Sequence, residues 1–102
     1  MFNDMVIYIK VGEGQRLNIG QRAFYNTRYR AGNYDGDHII KWKIFIDAKE
    51  NSIINVSSGT FLVGNGNQTT VYTNSQAIID VVTADKATSS TGGTINVVTT
   101  SF

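Results

Sequence analysis

The run His38–Ile46, HIIKWKIFI, shows the pattern that organises the chain. Ile40, Trp42, Ile44 and Ile46 fall on one side of an extended backbone and Ile39, Lys41, Lys43 and Phe45 on the other. A period of two marks a β-strand with one buried face. The apolar face predicts a core built on Ile40, Trp42, Ile44 and Ile46, with Trp42 mostly buried. Met5–Val11 repeats the pattern, with Met5, Ile7, Ile9 and Val11 on one face, and Gly12-Glu13-Gly14 ends it. Gln15–Ile19 predicts a short strand with Leu17 and Ile19 together. Ala23–Ala31 reads as a strand rather than a helix, because Phe, Tyr and Thr dominate and no helix start precedes it.

Gly32–Asp37 is a turn cluster and Asp47–Ser52 a loop. Ile53–Ser57 predicts a short strand with Ile54 and Val56 inward. In Thr60–Thr73, TFLVGNGNQTTVYT, Asn65-Gly66 stands between two β-prone runs. Asn-Gly adopts positive φ cheaply, as a type I′ turn requires, so a hairpin is expected with Leu62 opposite Thr69 and Thr60 opposite Val71. Gln76–Ala84 reads as a strand with Ala77, Ile79, Val81 and Thr83 on one side. Asp85–Gly92 is a loop of small residues, and Thr94–Thr100 is the last strand. No internal repeat is evident.

About eight or nine short strands in one domain spanning 1–102 predict an all-β fold: a single-domain antiparallel β-sandwich with immunoglobulin-like or jelly-roll connectivity.

Composition narrows the function. The net charge is +1, without the basic excess usual in nucleic-acid binders. There is no cysteine, which excludes disulfides and thiolate metal sites, and no proline, so Gly, Asn, Asp and Ser must make the turns. The start, MFNDMVIYIK, has Asp4 where a signal peptide carries basic residues, and no window approaches a membrane span. Residues 1–50 hold most of the charge. Residues 51–102 retain only Lys86, Asp80 and Asp85 among the charged residues and are rich in Thr, Ser, Asn and Gly, a surface common on secreted and virion proteins.

Candidate chemistry is sparse. Asn33, Asp35 and Asp37 alternate as the first oxygen ligands of a calcium loop do, but His38 stands where that loop needs Gly and Ile44 where it needs Glu. A solvated turn explains the same residues. His38 is the single histidine, with no nucleophile elbow, so a histidine at the start of a strand accounts for it better than a triad. Arg22, Arg28 and Arg30 with Tyr25 and Tyr29 read as a solvated face above a tyrosine-lined core. No cofactor, metal or catalytic residue is expected.

Two functions fit. One is a non-enzymatic structural or adhesion module that self-associates, a particle or cell-surface component, with Leu62 and Val71 as its contacts and a homo-oligomer as its form. The other is a carbohydrate-binding domain using Tyr25, Tyr29, Tyr34, Asp35 and Asp37.

Overall fold

The computed structural model describes residues 4–27, 39–64, 66–88 and 92–102. Its strands are β1 (Asp4–Val11), β2 (Arg16–Ile19), β3 (Phe24–Asn26), β4 (Lys41–Ala48), β5 (Ile53–Val56), β6 (Phe61–Val63), β7 (Gln68–Thr73) and β8 (Thr94–Thr99); one helix, α1 (Gln76–Thr88), lies between β7 and β8. Every strand pairing is parallel. One sheet has the order β1-β4-β7-β8, and β2-β5 and β3-β6 form two further pairs. The antiparallel sandwich is therefore incorrect, and immunoglobulin-like or jelly-roll connectivity falls with it.

The registers explain the architecture. Asp4 lies beside Lys41, Arg16 beside Ile53 and Phe24 beside Phe61, and Asn18 reaches Asn55 across the same separation of 37 residues. One constant offset on three consecutive sides means that β1–β3 form one turn of a three-sided coil and β4–β6 stack on it as the next. This is a short parallel β-helix, in which each unit buries its inner face only by stacking on a neighbour. Turn geometry repeats with the strands. Gly14 and Asn51 occupy equivalent corners with φ of 70° and 60°, and Arg22 and Gly59 with 63° and 77°. The third coil is different. β7 follows β4 along the first side, and then α1 takes the place where strands would continue on the other two.

The core lies inside the coils. Ile44 and Ile46 of β4 are fully buried between Ile7 and Ile9 on one side and Val71 and Thr73 on the other. Ile19, Ile54, Phe61 and Val63 close the other two sides, with Ile78 and Val82 of α1 packed over them. Phe24 and Phe61 stack within this core, ring centroids 5.3 Å apart. Trp42 is on the inward face but only half-buried, because it sits near the mouth of the coil, beside the exposed Met5.

Three local expectations need correction. β6 and β7 do not form a hairpin: Leu62 pairs with Tyr25, and Thr69 with Trp42 and Ile95. The positive φ of Gly66, 80°, turns the chain from one side of the coil to the next. Asn65 lies outside the described residues. Gln76–Ala84 belongs to a helix: Ile78, Val82 and Asp85 recur at helical spacing and are all buried. The absence of a repeat is also incorrect, since the backbone repeats even where the chemistry does not.

Two buried asparagines hold the corner before the long first side. Asn26 Nδ2 donates to Gln68 O at 2.8 Å and to Thr69 Oγ1 at 3.0 Å, and Asn67 Nδ2 donates to Asn26 O at 3.1 Å. Here the coils come so close that a Cβ on Gly93 would lie 2.0 Å from Val63 O. That contact is with backbone, so no rotamer change relieves it. Gly93→Ala is expected to destabilise the fold by about 1–3 kcal/mol, the usual cost of overpacking a tight site. A lowered urea midpoint at unchanged slope checks this.

Candidate functional site: the outer ladder and the two ends of the coil

The outer face of the four-stranded sheet carries the most distinctive surface. Tyr8, Phe45 and Tyr72 are register partners on β1, β4 and β7. Their rings stack with centroids 4.5 Å apart at both steps and interplanar angles of 8° and 7°. That distance approaches the strand spacing of about 4.8 Å, so the backbone stacking itself sets the ladder. Phe45 and Tyr72 are half-buried, while Tyr8, at the end of the stack, is 66% exposed. Val6, beside it on β1, is exposed too.

Charged rows flank the ladder on the same face. Asp4 lies beside Lys41 and Lys10 beside Asp47, so sign alternates from coil to coil. Asp47 is nearly buried, with one carboxylate oxygen 3.1 Å from Lys49 Nζ. Asp4, Met5, Val6, Lys41 and Lys43 line a shallow recess where β1 and β4 begin.

The two ends of the stack differ. At the far end α1 packs on β5, β6 and β8. Its Asp85, buried at 4% exposure, accepts Gly59 N–H at 2.9 Å and Phe61 N–H at 3.0 Å, one on each carboxylate oxygen. These amides belong to the coil edge, where a further strand would otherwise accept them. The helix thus ends strand stacking on two sides of the coil, one of the ways proteins protect sheet edges. At the near end, β1, β2 and β3 each pair with one strand only among the described residues. Among the described residues, no strand pairs with their outward edges, which together make up one coil turn.

The site residues expected from sequence are scattered. Tyr25 is half-buried on β3, with the Arg22 guanidinium 5.8 Å from its ring centroid. Tyr29, Tyr34, Asp35 and Asp37 lie outside the described residues, as do Arg28, Arg30, Asn33 and His38. Leu62 is half-buried beside Tyr25, and Val71 is fully buried in the core. Among the described residues no three His, Cys, Asp or Glu side chains cluster as metal ligands would. No helix among them is long and apolar enough to cross a membrane.

Sequence reasoning missed the ladder and the Asp85 clasp. A signal for the first was present: Ile7-Tyr8-Ile9, Ile44-Phe45-Ile46 and Val71-Tyr72-Thr73 are three triplets with an aromatic residue at the centre. For Asp85 the signal was its place one turn after the apolar pair Ile78 and Val82.

Comparison with protein-family models, curated proteins and solved structures finds no match to this chain.

The clasp yields a stability prediction. Asp85→Ala leaves the Gly59 and Phe61 amides without that acceptor, at about 1–3 kcal/mol for each buried group orphaned. Asp85→Asn keeps one carbonyl acceptor and is expected to lose distinctly less. Thermal or urea unfolding of the two variants beside the wild type checks the order.

Proposed function

We propose that this chain is a non-enzymatic structural module that self-associates through the exposed end of its coil stack. The supporting observation is the inequality of the two ends: α1 and Asp85 cover the edges on the β5 and β6 sides at one, leaving β8 alone as an edge strand, while at the other β1, β2 and β3 each pair on one side only among the described residues. A stack of coils gains stability from each neighbour, and an end without a polar cap is a template for further pairing. The exposed apolar residues Val6 and Tyr8 lie at that same end, on β1. The chain has no proline to block the edge.

The surface for association therefore moves from the second half of the chain to β1–β3. Of the two contacts expected from sequence, Val71 is fully buried and Leu62 half-buried. The immunoglobulin-type reading falls with the sandwich, and the adhesion and virion readings, which drew on the Thr-, Ser- and Asn-rich second half, gain no support from the parallel fold. The glycan reading gains no support either: Tyr25 lies beside Leu62 with the Arg22 guanidinium over its ring, and Tyr29, Tyr34, Asp35 and Asp37 lie outside the described residues.

Sedimentation velocity from micromolar to near-millimolar concentration tests the proposal. The expected result is a concentration-dependent species heavier than the 11.2 kDa chain. A single 11.2 kDa species throughout that range overturns it.

A further inference from the structure

We infer that the partner at the open end is a second copy of this chain, joined head to head by antiparallel pairing of β1 with β1 about a two-fold axis near Ile7. The inference rests on the self-association proposed above and specifies its surface, symmetry and register.

The capped end excludes the alternative direction. Head-to-tail stacking would set β1 beside β8 of the next copy, but β2 and β3 would meet α1. A helix has spent its backbone groups on its own hydrogen bonds and offers none to a strand edge. Two of the three edges would be buried unpaired, each orphaned group costing free energy. Head to head, every open edge of one coil meets an open edge of the other, and the two-fold axis closes the assembly as a dimer rather than a fibre.

The register follows from side-chain chemistry. Inward residues Met5, Ile7 and Ile9 must meet inward residues, or one core would be exposed. With Ile7 opposite Ile7, Met5 faces Ile9, Val6 faces Tyr8 and Asp4 faces Lys10. The outer row then runs Lys41, Asp4, Lys10, Asp47 across the junction. This continues the alternation of sign that each chain already shows between β1 and β4. Val6 and Tyr8, the two most exposed apolar side chains of β1 at 60% and 66%, cover one another in both halves.

Charge reversal tests the arrangement. Asp4→Lys alone sets Lys against Lys10 twice in the dimer, and Lys10→Asp alone sets Asp against Asp4 twice. Each is expected to raise the dimer dissociation constant roughly tenfold or more, since opposed charges directly across strands repel. Mixing the two variants, or combining them in one chain, is expected to restore dimerisation. Repulsion within a chain, at Lys41 or Asp47, persists in the mixture, so restoration can only come from pairing between chains. Sedimentation reads the masses and far-ultraviolet circular dichroism confirms the fold.

As a second measurement, Val6→Cys mixed with Tyr8→Cys is expected to give a mixed disulfide dimer faster than either variant alone. The wild type has no cysteine to compete. Dimers unaffected by either reversal, with no preferred mixed disulfide, overturn the β1 interface while leaving self-association standing. Weakened dimers that mixing does not restore overturn the register. A wild-type chain that remains monomeric removes both proposals.

Discussion

In-register parallel stacking is the constraint on which the rest of this structure depends. Wherever strands stack, each pairs in register with the next, so its residues lie over partners at a spacing of about 4.8 Å. The inner row Ile7, Ile44, Val71, Val97 and the outer row Tyr8, Phe45, Tyr72, Val98 follow from this one geometry. A β-branched or aromatic residue suits such a row because its neighbour presents the same shape at contact distance. Charge does not suit it unless sign alternates, and Asp4 beside Lys41 and Lys10 beside Asp47 satisfy that condition. The core and the surface are therefore two readings of one repeat.

The repeat explains why the sequence revealed the strands and concealed the fold. Alternation in Met5–Val11, Lys41–Ala48 and Thr94–Thr99 shows which side of each strand is buried, and Ile44 and Ile46 are the centre of the core. Alternation does not show which strand lies beside which. Leu62 and Thr69 are close in sequence and their intervening Asn-Gly favours a tight turn, so local chemistry points to a hairpin. Their real partners, Tyr25 and Trp42, are distant in sequence and are chosen by coil geometry. The offset is 37 residues from the first coil to the second but shorter from the second to the third, where Lys41 meets Gln68. That irregularity hides the repeat from inspection of spacing.

The helix was misread for a different reason. QAIIDVVTADKAT is rich in Ile, Val and Thr, whose stiff side chains favour strands. Tertiary context decides against them: Ile78 and Val82 occupy one helix face against β5 and β6, and Asp85 on that face meets two edge amides. A strand in the same place would have satisfied those amides as well, and would have presented a fresh edge in turn. Of the five residues expected to bind a glycan, only Tyr25 lies among the described residues.

The dimensions of the cap show why a helix can end the stack beside a sheet that continues. An α-helix is about 10 Å across with its side chains, and two strand spacings also come to about 10 Å. On the first side of the coil, β7 and β8 rise two steps above β4; on the other two sides α1 fills a comparable height above β5 and β6. The far end is thus filled level by two strands and one helix, with Asp85 taking over hydrogen bonds that a strand would have made. The near end has no such element among the described residues, and there Val6 and Tyr8 stand exposed on β1. A stack that ends on two sides in a helix with a buried carboxylate, and at the other end in strand edges among the described residues, has a direction built into it. At the far end only β8 keeps an open edge, beside a helix whose backbone groups are already spent, whereas among the described residues all three sides of the near end are strand edges.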